Sequence, residues 1–190
     1  MPSEEKYMAL FTEAGDLIEG LVRLDGQPCP KLGFFQKRKL KKAKPLLQQA
    51  ALESPENGAP YLMLAKVEER LGEHEDYLSS LQKSWLLEPG NLVLVIELSS
   101  AYGQLGKQHE AISVLIEGRK YYPSEPRILF NLGVSFLLIN QSQSAKDIFV
   151  EMIEIEPDYE MNHKMLAYSQ RILSGDVPAP NNQSDIAKGI

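Results

Sequence analysis

The chain has 190 residues, 43% of them apolar and 24% charged, with a net charge of −6; this suits one ordinary domain or a short repeat array with a continuous apolar core, and excludes two large domains. No apolar run approaches the roughly 20 residues that cross a bilayer, since Leu92 to Ile96 stops at Glu97, so membrane insertion is not expected. A single cysteine, Cys29, excludes an internal disulfide framework and any multi-cysteine metal site, and the opening residues Met1 to Lys6 show neither a basic n-region nor an apolar h-region, so the expected location is the cytoplasm.

Residues from about Ser3 to Leu24 read as a helix whose apolar face holds Tyr7, Leu10, Phe11, Ala14, Leu17, Ile18, Leu21 and Leu24, with Ser3 as a cap. Residues 24–33 contain Gly26, Pro28, Pro30 and Gly33 where a helix would be expected and read as an inserted loop. A second helix follows around Ala43 to Ala50, with Leu40, Ala43 and Leu47 turned inward. Pro45 inside it is tolerable if the helix starts about a turn earlier and otherwise bends it. Phe34 and Phe35 are expected to plug the seam below the loop. Lys37, Arg38, Lys39, Lys41, Lys42 and Lys44 form the one strong basic run. It reads either as a solvated helix face or as a weak site for an anionic surface or nucleic acid.

From Pro55 the chain becomes periodic. Pro55, Pro89, Pro123 and Pro157 stand 34 residues apart, each followed by turn chemistry, so each punctuates a helix end. Three units follow, 58–91, 92–125 and 126–159. Their fourth position holds Tyr61, Val95 and Leu129, their seventh Leu64, Leu98 and Leu132, and their eighth the small residues Ala65, Ser99 and Gly133, which permit close helix approach. Gly72, Gly106 and Asn140 suit the left-handed conformation that ends a first helix. Tyr77, Ala111 and Ala145, then Leu81, Leu115 and Phe149, form the stripe of a second helix. Residues 3–57 supply a divergent first hairpin, 160–175 a closing helix, and 176–190, rich in Pro, Asn and small polar residues, a mobile tail.

A 34-residue helix-turn-helix period with Leu and then a small residue, a Gly at mid-repeat, Ala-x-x-x-Phe/Leu and a terminal Pro resembles the tetratricopeptide repeat family. The unit 126–159 resembles it most, through Leu132, Gly133, Phe136, Ala145, Phe149 and Pro157, whereas 58–91 departs at Glu68 and Tyr77. The resemblance implies an all-α, right-handed superhelical solenoid of hairpins with a C-terminal closing helix. It also implies that particular columns of the first helices face a concave groove. Carried over, they give the candidate partner-binding residues Met63, Lys66, Arg70, Ile96, Glu97, Ser100, Arg127, Phe130, Asn131, Val134, Met161 and Met165. Leu62 and Leu137 fall in the same columns and are read as packing. The apolar character of this set suits an interface with a helix or an extended segment. The family's carboxylate clamp for chaperone tails is not matched, because Ile96, Ser100, Met161 and Met165 stand where its polar residues would be.

Residues for catalysis are sparse. His74 and His109 fall at repeat turns, His163 reads as partly buried structure, and Cys29 has no histidine near it in sequence. Neither a phosphate-cradling loop nor a nucleophile elbow occurs. No catalytic residue, metal or cofactor is therefore expected. The leading reading is a non-catalytic scaffold that binds a peptide or helix in an apolar groove. A structural self-association module, as a homodimer or with the tail in the groove, is the alternative. Weak anionic-surface or nucleic-acid binding through Lys37 to Lys44 is the second, with nucleic acid disfavoured.

Overall fold

The computed structural model describes residues 2–23, 29 and 31–190, leaving out the side chains of residues 2 and 3. Among the described residues all regular structure is helical, and the chain forms two compact units, Met1–Leu94 and Val95–Ile190.

The first unit contains α1 (Pro2–Ile18), α2 (Phe34–Glu53), α3 (Ala59–Leu71) and α4 (His74–Leu87), each packed on the next. Its core gathers Ala14 and Ile18 of α1, Leu40, Ala43 and Leu47 of α2, and Leu64 and Val67 of α3. Helix α1 stops earlier than its apolar pattern, because Gly20 (φ 68°) turns the chain and the Leu21 amide closes on the Ile18 carbonyl at 2.9 Å. Ser3 falls within α1 and its side chain lies outside the described residues, as do Leu24 and most of the expected loop (24–28 and 30). Helix α2 begins at Phe34, well before Pro45, and continues through that proline as one element, which withdraws the amide that would bond the Lys41 carbonyl.

Phe34 and Phe35 do not plug a seam: each is 75% exposed. At about 100° per residue they lie across the helix from Leu40, Ala43 and Leu47, so the face that packs on α1 carries them outward.

The second unit is built from α5 (Leu92–Gln104), which begins at the boundary, α6 (Gln108–Tyr121), α7 (Pro126–Leu138), α8 (Ser142–Ile155), α9 (Glu160–Leu173) and α10 (Gln183–Gly189). Helix α6 packs on α7, α7 on α8 and α8 on α9. Gly133 places α7 close to α8: a Cβ there would stand 2.6 Å from Cζ of Phe149, which is fully buried. Gly118 of α6 is equally tight against Val95 of α5.

The periodicity has a backbone cause. Helices α2, α4, α6 and α8 end at Glu53, Leu87, Tyr121 and Ile155, and the residues before the prolines, Ser54, Glu88, Tyr122 and Glu156, adopt φ of −137°, −134°, −132° and −131°. A proline forces its predecessor out of the helical region in this way. Where α3, α5 and α7 end, Gly72, Gly106 and Asn140 have φ of 80°, 71° and 59°. The amides of Glu73, Lys107 and Gln141 bond back to the carbonyls of Glu68, Tyr102 and Phe136 at 2.9, 2.9 and 2.8 Å, satisfying carbonyls that would otherwise lack a donor.

The tail departs from expectation. Residues 176–190, expected to be mobile and without a second helix, include α10. The Asn182 side chain accepts from the Asp185 amide at its start, and Ile186 is 6% exposed. Gly189 lies so close to the Tyr168 ring that a Cβ would clash, and Arg171 donates to the Gly189 carbonyl at 2.9 Å. One buried isoleucine, one aromatic shelf and a cap hold a helix that tail composition alone does not suggest.

Candidate binding cleft

Within the second unit, Pro126, Arg127, Phe130 and Asn131 of α7, Ile96 of α5, Met152 of α8, and Glu156 and Tyr159 of the following turn enclose a cleft of about 460 Å³. Local geometry places each part. Pro126 opens α7 at a position where a missing amide costs nothing. The turn around Pro157 closes with the Tyr159 amide on the Glu156 carbonyl at 3.2 Å and leaves the Tyr159 side chain exposed. Phe130 is held edge-to-face against Phe149, with ring centroids 6.5 Å apart.

Ile96, Phe130 and Met152 thus give an apolar floor, and Arg127 and Glu156 put one charge of each sign at the rim. Arg127 is braced by Glu125 at 2.6 Å. Asn131 is half-buried on the wall and its carboxamide makes no hydrogen bond to a described residue. Such a group can donate to and accept from a peptide unit.

Four of the twelve candidate residues, Ile96, Arg127, Phe130 and Asn131, therefore meet in one cleft. Glu97 and Val134 are half-buried and Ser100 is exposed, and none of them lines it. The cleft also uses Pro126, Met152, Glu156 and Tyr159, which the column reading missed. Their signal was the proline-bounded turn, where a second helix hands the chain to the next first helix.

The first unit's candidates are committed internally. Lys66 is 5% exposed and pairs with Glu69 at 2.6 Å, Arg70 donates from Nε to the Leu21 carbonyl at 3.0 Å, and Met63 packs on the core of α1, α2 and α3. Their side chains tie α3 to its own surroundings, and none of the three lines the cleft.

The closing helix is also corrected. Met165 is fully buried, Met161 half-buried, and His163 exposed, its Nε2 2.6 Å from the Pro157 carbonyl. Helix α9 buries Asn162, Met165, Tyr168 and Ser169, whereas Ala167 is exposed. Its inward face is rotated by about one position from that of α7, which buries Leu129, Leu132 and Gly133. A regular second helix would cover the His163 and Ala167 side. Here α10 instead covers Tyr168 and Arg171. Burial against the tail, with Asp185 nearby, raises the Tyr168 phenol above its ordinary range.

The basic run divides. Lys37, Arg38, Lys39, Lys41 and Lys42 are exposed, but Lys44 is not part of an anionic-surface site. Its ammonium lies 3.2 Å from Glu68, 2.6 Å from Glu73 and 2.7 Å from Asp76. Burial alone would lower its pKa, and the hydrogen bonds it donates to Asp76, Glu73 and Glu68 override that and hold it above the usual lysine range. Burial raises Glu68 above the ordinary carboxylate range, offset in part by the Ser80 hydroxyl at 2.7 Å and by Lys44. The three carboxylates are close enough to hold a cation, and Lys44 is that cation. His74 and His109 are exposed at the hairpin turns.

No family model matches the chain, and no curated protein matches it. Solved structures do. A crystal structure of MamA protein aligns over 98% of this chain and 88% of its own, with a TM-score of 0.70 at 16% identity. A tetratricopeptide repeat protein from Parabacteroides merdae aligns over 97% and 71%, also at 0.70, with 17% identity. YrrB, described as a tetratricopeptide repeat protein with an unusual peptide-binding site, aligns over 68% and 70% at 0.55, with 21% identity. Identities this low establish fold and not function: the chain has the all-α tetratricopeptide repeat fold.

Proposed function

We propose that this protein is a non-catalytic interaction scaffold that holds a short segment of another protein in the cleft of its second unit. The observation that carries the reading is the pairing of an apolar floor, Ile96, Phe130 and Met152, with the unengaged carboxamide of Asn131 on the wall. An apolar side chain of the ligand fills the floor while its backbone pairs with Asn131, and Arg127 and Glu156 select against a like charge at either rim. The likeness to YrrB supports a peptide as the ligand. Helix α10, seated on Tyr168 and Arg171, supports a restricted form of the tail-in-groove reading: the chain's own tail takes the closing helix's share of the groove and leaves the cleft to a partner.

The test is selection of peptides from a displayed random library, followed by calorimetric titration of one against the intact protein, Asn131→Ala and Ile96→Asp. Either substitution is expected to weaken binding by about tenfold or more with the helical circular dichroism unchanged. Undiminished binding by both variants would refute the cleft as the site.

A further inference from the structure

The N-terminal part of α2 presents a second surface, separate from the cleft and unexplained by it. Phe34 and Phe35 are each 75% exposed, with rings 5.6 Å apart and inclined at 80°. Lys37, Arg38, Lys39, Lys41 and Lys42 follow, all exposed, and none makes an ion pair with a described residue, although Glu13 and Asp16 belong to the partner helix of the hairpin and Glu19 follows its end. At about 100° per residue Phe34, Phe35, Arg38, Lys41 and Lys42 share the face opposite the buried Leu40, Ala43 and Leu47.

Helix stability does not account for this arrangement. The first turn of α2 has no acidic residue and no side-chain cap, so Lys37 and the adjacent Arg38 stand near the positive end of the helix dipole, where cations are unfavourable. Two neighbouring phenylalanines in water add a further cost. Local choices that oppose folding mark surfaces kept for another role.

We infer that this face of α2 is a peripheral docking site for an anionic lipid surface, with Phe34 and Phe35 entering the headgroup boundary and Arg38, Lys41 and Lys42 meeting lipid phosphates. Aromatic residues beside exposed cations are what interfacial binding requires: the rings gain from leaving water and the cations gain from the negative surface potential. Nucleic acid is the weaker match, because rings inclined at 80° offer no pair of parallel platforms for stacked bases.

Sedimentation of the full-length protein with vesicles tests the inference. Vesicles of phosphatidylcholine with roughly 30% phosphatidylserine are expected to bind the protein, and pure phosphatidylcholine vesicles are not. Raising salt from about 0.1 M to about 0.5 M should weaken binding steeply. Phe34→Ala with Phe35→Ala, and separately Lys41→Glu with Lys42→Glu, should each reduce binding by about tenfold. These positions are exposed, so folding should be preserved, and unchanged circular dichroism verifies it. Ile96→Asp should bind vesicles like the unaltered protein. Equal binding to both vesicle types, indifference to both double substitutions, or capture of a single-stranded RNA oligonucleotide in place of vesicles would overturn the inference.

Discussion

The ammonium of Lys44 lies 3.2 Å from the carboxylate of Glu68, a residue only 2% exposed on the inner face of α3. The pair joins α2 to α3 at the position where 58–91 departs from the repeat pattern, and Ser80 of α4 completes it. Lys44→Met should cost about 2–3 kcal/mol, because it leaves a buried carboxylate with one hydroxyl donor. Burial holds the folded-state pKa of Glu68 above its unfolded value. The folded protein then takes up this proton more readily than the unfolded chain, and the penalty of the charged form shrinks as pH falls. The deficit of Lys44→Met should therefore narrow between neutral pH and the upper carboxylate range, and Lys44→Met with Glu68→Gln should recover part of it at neutral pH. Urea midpoints at the two pH values measure this; a deficit that widens on mild acidification would contradict it.

Gly133→Ala tests the contact between α7 and α8. Alanine favours a helix by about 0.5–1 kcal/mol over glycine, but its methyl group would meet the fully buried Phe149 ring. Overpacking a well-filled core costs about 1–3 kcal/mol, so a net loss of about 1 kcal/mol is expected. Denaturant unfolding reads it directly. A stabilised variant would show that the ring has room to move.

Helix α10 should contribute measurable stability to the second unit. Ile186→Asp places a charge in a site 6% exposed and should release the helix at a cost of about 1–3 kcal/mol. Hydrogen exchange should then rise around Tyr168 and Arg171, and a chain ending at Gly175 should show the same pattern. Unchanged protection at Tyr168 in both would mean that the tail does not cover α9.

The helical hairpins were legible because their punctuation is local. A proline dictates the conformation of the residue before it, and a glycine or asparagine accepts the left-handed turn, whatever the rest of the chain does. The cleft was half legible. Ile96, Arg127, Phe130 and Asn131 lie on regular first helices, so their columns transfer, whereas Met152, Glu156 and Tyr159 reach it from a second helix and a turn. His163 is exposed rather than partly buried because α10 docks on the Tyr168 and Arg171 side of α9, through the tertiary contact of Gly189 with Tyr168, and Met165 is buried where a groove contact was expected. Lys44 was indistinguishable from its neighbours in a run of cations until the carboxylates of α3 and of the turn into α4 were brought around it.

The cleft between α5, α7 and the end of α8 is proposed to receive a peptide. Amide chemical-shift mapping on the isotopically labelled full-length protein, during titration with a selected peptide, addresses it most directly. The expected result is a set of perturbations centred on Ile96, Phe130, Asn131 and Tyr159, fading toward α10 and lost in Asn131→Ala. Perturbations centred on another helix face, or a shift map unaltered by that substitution, would show that the peptide does not bind in this cleft.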